Sequence, residues 1–234
     1  MDNYKTIKIG EIVTNDFRAA EIFKNAGIDF CCGGNQSLEQ ACNDKKIDIS
    51  TLESKLNELK NSNKDASHDF NQWSLDFLCD YIVNTHHKTV LRLLPQLKAY
   101  TQKIAEVHGS HHPELSEIAS LFYQINSELL QHLKNEEEVL FPAIKDLMQT
   151  NSPMSKATIV SEIKRMSNEH EFAGGAMDKI NTLSKNYLVP SDGCNTYFVT
   201  YKLLEEFEDD LHIHVHLENN ILYPKSLALA RNQI

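Results

Sequence analysis

The 234-residue chain has a formal net charge of −10, with 41% hydrophobic and 24% charged residues. That composition supplies an ordinary globular core and excludes nucleic acid and anionic membrane as electrostatic partners. No stretch approaches the roughly eighteen consecutive apolar residues of a membrane-spanning helix. The opening MDNYKTIKIGEI has no apolar signal core, so a cytoplasmic location is expected.

Five cysteines, two of them adjacent, are an odd set that reads as thiol or metal chemistry rather than a disulfide framework. Only 8 Gly and 6 Pro favour long helices. The 11 His fall in groups: His86/His87, His108/His111/His112, His132, His170 and His212/His214/His216, with His68 apart.

In chain order, residues 1–60 read as a small helical domain. Asn15 or Asp16 caps a helix through FRAAEIFKNA that stops at Gly27. Ser37 with Gln40, and Ser50 with Glu53, each have capping-box spacing. Residues 61–70 are polar and predict a linker. From 71 to 234, four segments carry apolar residues at helical spacing, near 73–107, 114–148, 156–186 and 194–230. Short breaks between long helices predict an all-α, antiparallel up-down-up-down four-helix bundle. Pro95, Pro142 and Pro224 lie inside these patterns and are expected to kink or end their helices.

An internal repeat points to the site. Residues 132–142 read HLKNEEEVLFP and residues 214–224 read HVHLENNILYP. Both hold His, Glu four residues on, then an aliphatic residue, Leu, an aromatic residue and Pro. Upstream, His86 and His170 stand at a similar offset. On a helix, positions i and i+4 share a face, so His132 with Glu136 and His214 with Glu218 can each aim an imidazole and a carboxylate at one point. Counting residues from each ligand to its helix end places all six in one layer, within ~6 Å along the bundle axis.

Four imidazoles and two bridging carboxylates suit a pair of iron or manganese ions. Thiolate-rich structural zinc fits less well. His212 and His216 are expected near the site or at the surface. His108 lies ~33 Å along the helix from His86 and belongs, with His111 and His112, to a turn at the bundle end. Cys79 is expected in the core, and Cys194 has no assigned role.

The segment DFCCGGNQSLEQA at 29–41, followed by this His/Glu bundle, resembles the iron–sulfur cluster repair di-iron proteins of the YtfE/ScdA type. The resemblance spans the whole chain and implies a hemerythrin-like bundle behind a short cysteine-containing domain. By the match, His86, His132, Glu136, His170, His214 and Glu218 correspond to the ligands of two iron ions, and Cys31 and Cys32 to the family's paired cysteines. His108 stands where family members carry His, whereas His216 replaces a small polar residue.

What the resemblance implies is repair of iron–sulfur clusters damaged by oxidative or nitrosative stress, with damaged iron–sulfur proteins as partners and iron donated from a labile centre. That is closer to an iron-donating repair protein than to an ordinary enzyme. Oxygen or nitric oxide binding, and nitric oxide reduction, are the alternatives at the same site. Cys31 and Cys32 beside Gly33-Gly34 are expected to accept iron or exchange with a client's thiols, and a reducible homodimer is an expected by-product.

Overall fold

A computed structural model describes residues 4–61 and 69–232. Most of the expected linker, and His68, lie outside the described residues. Among the described residues there is no strand; one isolated bridge pairs Lys8 with Ser37.

The first unit contains α1 (Ile9–Asn15), α2 (Ala19–Asn25), a 3-10 turn at Gly33–Asn35, α3 (Leu38–Lys45) and α4 (Ile49–Asn61). Asp16 works ahead of α2, accepting from the Arg18 backbone N–H at 3.2 Å. Gly27 follows α2 with φ of 64°, the left-handed conformation that glycine adopts without steric cost. The Ser37/Gln40 capping box is present. Ser50 does not open α4, because Asp48 upstream accepts its backbone N–H at 3.0 Å and the helix already begins at Ile49.

The bundle follows. Helix α5 (Leu75–Ile82) passes through a π turn at Val83–His87 into α6 (Lys88–His108). Helix α7 (Glu114–Asn135) passes through a π turn at Glu136–Leu140 into α8 (Phe141–Thr150). Helix α9 (Pro153–Leu183) is uninterrupted, and α10 (Asn195–Leu217) passes through a π turn at Glu218–Leu222 into α11 (Tyr223–Asn232). Helix α6 packs between α7 and α10, and α9 packs along α7, completing the antiparallel four-helix bundle.

Two of the three prolines, Pro142 and Pro224, come just after π turns. Proline lacks an N–H and crowds the carbonyl four residues back, which a widened turn relieves. Helix α6 runs through Pro95 without ending.

Two apolar clusters fill the interior. One joins Ile9, Val13, Phe23 and Leu38 of the first unit to Leu93, Leu97, Phe122, Leu204 and Phe207 of the bundle. The other gathers Leu78, Ile82, Leu140, Ile144, Ile159, Met166 and Leu222 at the opposite end. Each side chain buried this fully contributes about 1.5–3 kcal/mol of transfer free energy. The first unit therefore shares a continuous core with the bundle. Between the clusters lies a layer of buried polar side chains: His86, His87, His132, Glu136, His170, His214 and Glu218.

Candidate metal centre

Two overlapping groups of potential ligands occupy that layer. His87, Glu136, His214 and Glu218 form one, and His132, Glu136, His170 and Glu218 the other; within each group the ligand atoms lie within 4.8 Å of one another. Both carboxylates belong to both groups, as the expected bridging role requires. Each carboxylate begins a π turn and His87 ends one. A π turn inserts one residue and re-aims the side chains around it, a device common at functional sites.

Five of the six expected ligands meet here: His132, Glu136, His170, His214 and Glu218. The sixth position is filled by His87 and not by His86. Successive helical residues point ~100° apart, so one residue decides which ring faces the axis. The π turn brings His87 Nε2 to 3.4 Å from Glu136 Oε2. His86 turns aside, and its Nδ1 lies 3.0 Å from Asp210 Oδ1.

The remaining contacts are short and confined to the layer. Glu136 Oε2 lies 3.3 Å from His132 Nε2. Glu218 Oε1 and Oε2 lie 3.0 Å from His214 Nε2 and 3.2 Å from His170 Nε2. Tyr223 donates to Glu136 Oε1 at 2.7 Å. Imidazoles are held from their far sides: His87 Nδ1 by Glu137 at 2.8 Å, His170 Nδ1 by Asn219 at 3.0 Å and His132 Nδ1 by Glu169 at 2.8 Å. In each half of the repeat, the residue after the shared carboxylate holds the imidazole from the preceding helix. Such contacts fix the tautomer that leaves Nε2 free for a metal.

The layer fits a cation. Glu136 and Glu218 are fully buried, and one carboxylate oxygen of each, together with His87 Nε2, has no hydrogen-bond partner. His132 Nε2 and His170 Nε2 face each other at 3.1 Å although both rings have acceptors on Nδ1. Burial alone would raise the Glu136 carboxyl, but His132 and His87 hold it well below the usual range. Burial and Glu136 oppose ionisation of Glu218, which His214 and His170 nevertheless keep below its ordinary value. Two buried carboxylates this close call for positive charge between them.

The cysteine loop docks directly on this layer. Cys32 Sγ lies 3.5 Å from the backbone oxygen of His170. Asp29 accepts the backbone N–H groups of Cys31, Cys32 and Gly33 at 2.9, 3.0 and 2.7 Å, and the Cys31 thiol donates to it at 3.0 Å. Cys31 is buried and Cys32 half-buried. Cys32 beside it, burial and the Asp29 charge push the Cys31 thiol well up, so it remains protonated at neutral pH.

Gly34 is buried against Asn220 and does not leave the loop open to a partner. Its role is close approach: a Cβ there would lie 2.5 Å from the Asn220 side-chain oxygen. The same Asn220 donates from Nδ2 to the backbone oxygens of Phe30 and Cys31 at 3.3 and 3.1 Å. Beside the thiols is an open cavity of about 420 Å³ whose lining includes Asn219 and Tyr223.

The other histidines fall elsewhere. His216 is fully buried against Phe17 and Phe30, where the first unit meets α10. His212 is half-buried and packs edge-on against Phe30. With Asp178 and Glu208 it makes a further cluster of potential ligands, and Asp29, Cys31 and Cys32 make another. His108 is at the far end of α6, with Nε2 3.2 Å from Cys194 Sγ. Cys79 is buried in the apolar cluster. Sequence reasoning missed His87, Asn219, Asn220 and Tyr223, although the last three lie inside the repeated segment, in the string ENNILYP.

Residues 5–60 match a family model, ScdA_N, described as a domain of unknown function, and residues 80–226 match the hemerythrin HHE cation binding domain. The chain is 34% identical over 218 residues to the iron-sulfur cluster repair protein ScdA of Staphylococcus epidermidis, covering 93% of this chain and 96% of that protein. It is 35% identical over 219 residues to the ScdA protein of Staphylococcus haemolyticus, with the same coverage. It is 34% identical over 225 residues to the iron-sulfur cluster repair protein YtfE of Yersinia pestis, covering 96% of this chain and 98% of that protein. No helix among the described residues is long and apolar enough to cross a membrane.

Proposed function

Because the chain belongs to the iron–sulfur cluster repair proteins of the ScdA and YtfE type, we propose that it repairs clusters damaged by oxidative or nitrosative stress, giving up iron from a labile di-iron centre. The observation that carries this reading is the pair of ligand groups sharing both carboxylates. His87 and His214 with Glu136 and Glu218 would hold one iron, and His132 and His170 with the same two carboxylates the other. Bound iron supplies the cargo and a one-electron redox couple. Imidazole and carboxylate are ligands whose grip falls with protonation, so such a centre releases metal more readily than an all-thiolate one.

The chain's own groups act around that cargo. Glu137, Asn219 and Glu169 keep protons on Nδ1 of His87, His170 and His132 and leave Nε2 as the metal-facing atom. Tyr223 restrains the shared Glu136 from the side of the cavity that Cys31 and Cys32 also line. The cysteine pair, which lines that cavity, would be the soft-ligand acceptor for departing iron. In this reading residues 1–60 form the domain that presents the thiols and residues 71–234 the domain that stores the metal. The two work as one packed body, as their common core favours.

The test is restoration of activity to an iron–sulfur enzyme inactivated by nitric oxide. Iron-loaded protein restores activity and metal-free protein does not. If the loaded protein binds oxygen reversibly and never yields iron to an apo-cluster acceptor, it is a gas carrier and the repair reading fails.

A further inference from the structure

The end of the bundle away from the metal layer holds a second chemical group. Cys194 immediately precedes α10, at its N-cap position, and is exposed. His108, the last residue of α6, brings Nε2 to 3.2 Å from Cys194 Sγ. The imidazole is not free to swing, because it packs edge-on against Tyr197, centroid to centroid 5.4 Å, and Tyr197 hydroxyl meets Tyr201 hydroxyl at 3.1 Å. His112 packs on the other part of Tyr197 at 5.8 Å and is tied to Asp192 at 3.1 Å and Glu114 at 3.2 Å. Groups from α6, the following turn, α7, the loop before α10 and α10 itself thus gather around Tyr197, with His108 in contact with the exposed sulfur.

We propose that Cys194 and His108 form a thiol–imidazole dyad that exchanges with low-molecular-weight disulfides, making Cys194 a reversible modification site. In the exchange, the Cys194 thiol passes its proton to His108 Nε2, and the sulfur attacks one sulfur of the incoming disulfide. The Cys194–sulfur bond forms as the disulfide bond breaks, and the leaving thiolate takes the proton from His108. One disulfide is consumed, one mixed disulfide and one thiol are made, and no other oxidant is needed.

Three features favour the thiolate here. The His108 imidazole above all, with the backbone N–H groups of Tyr197 and Thr196, lowers the Cys194 thiol pKa to about 7. A helix N-terminus also stabilises a thiolate. Asp192 and Glu114, the acids of this cluster, are engaged by His112.

The contrast with the CCGG loop supports the assignment. Cys32, burial and the Asp29 charge hold Cys31 protonated, Cys42 and Cys79 are buried and Cys32 is half-buried, so the exposed, readily ionised thiol is Cys194. His87 and His108 are 21 residues apart on one helical run, ~32 Å at 1.5 Å per residue, so the dyad is chemically separate from the metal layer.

The experiment treats the iron-loaded full chain with oxidised glutathione and maps mixed disulfides by mass spectrometry from pH 5.5 to 9. The expected result is that Cys194 is modified first, with a rate profile centred near pH 7. His108→Gln slows modification about tenfold at neutral pH and moves the profile up toward the ordinary thiol value of about 8.5. Cys194→Ser abolishes that adduct. Iron content is the same in all three proteins, so failure here is distinguishable from failure of the repair reading. The proposal is overturned if Cys194 reacts no faster than a free thiol of ordinary pKa, or if His108→Gln leaves rate and profile in place.

Discussion

His86 lies flat against His214, with ring centroids 5.6 Å apart and planes 9° from parallel. His86 precedes the inward His87 as Glu169 precedes the inward His170. Glu169 holds His132 by a hydrogen bond, whereas His86 holds His214 by its ring face. The two halves of the repeat thus solve the same positioning problem with different chemistry. In the second solution His214 Nδ1 and His86 Nε2 are both buried without hydrogen-bond partners.

Exchanging the roles of neighbouring histidines is the direct check. His87→Ala removes an inward imidazole and is expected to retain less than half of the iron after brief chelation. His86→Ala leaves both groups of potential ligands in place and removes the ring stacked on His214 with its Asp210 contact, and losing outer support of a ligand costs about 10–100-fold in metal affinity at most. It is therefore expected to load fully at excess iron and to lose metal faster on dilution. Iron analysis before and after chelator treatment separates the two; equal retention by His87→Ala and wild type would return the sixth position to His86.

The clamp on the cysteine loop gives a second prediction. Asn220→Ala removes both donations to the loop, and leaving buried acceptors unpaired costs about 1–3 kcal/mol. Gly34→Ala should act on the same contact by pushing the Asn220 side chain away. Both are expected to speed alkylation of Cys32 several-fold with little change in iron content. Unchanged alkylation in both would show that the loop is held by its apolar contacts alone.

How much of this was legible in the residues themselves can be judged at particular positions. Helical periodicity and three turn clusters placed the four long segments within a few residues of their observed ends, because a buried apolar stripe leaves a strong pattern. The repeat located the depth of the layer. It did not separate His86 from His87, since a π turn adds a residue without altering composition, and the match of offsets tolerated one residue either way. Asn219 and Asn220 lay inside the repeated segment, but their partners, His170 and the 30–31 backbone, are distant in sequence. The docking of the first unit was illegible for the same reason. His108 and Cys194 are 86 residues apart and meet only because the bundle returns to the same end.

Cys31→Ser with Cys32→Ser tests the thiol pair. The bundle contains every group of the two ligand sets, so the double variant is expected to keep full iron content and an unaltered iron spectrum. Cluster repair should fall to a small fraction of wild type. Full repair would reduce the loop to a packing element, and loss of iron would show that the ligand set reaches beyond the bundle.

Glu208 supplies a pH prediction. It is 5% exposed, accepts from Asn181 at 2.9 Å, and burial raises its pKa above the ordinary 4.5. A carboxyl whose folded value is raised binds its proton more tightly in the folded state. Its contribution to stability is therefore present below about 4.5 and is lost as pH rises through the folded value. Glu208→Gln keeps an acceptor for Asn181 and removes the charge. It is expected to raise the denaturant midpoint at pH 7, with the advantage vanishing near pH 4; a destabilised variant at pH 7 would show that the carboxylate is needed ionised.

Asn219 and Asn220 are consecutive, yet one amide grips His170 and the other grips the backbone of the cysteine loop. Adjacent residues of one helical turn cannot be displaced separately, because a single peptide plane joins them. In the proposed reading, a client that pulls on the loop at the surface would load the His170 imidazole in the interior through that plane. Conversely, a shift of that imidazole on metal loss would loosen the loop. Mechanical state at the surface and occupancy in the interior are two readings of the same short piece of backbone.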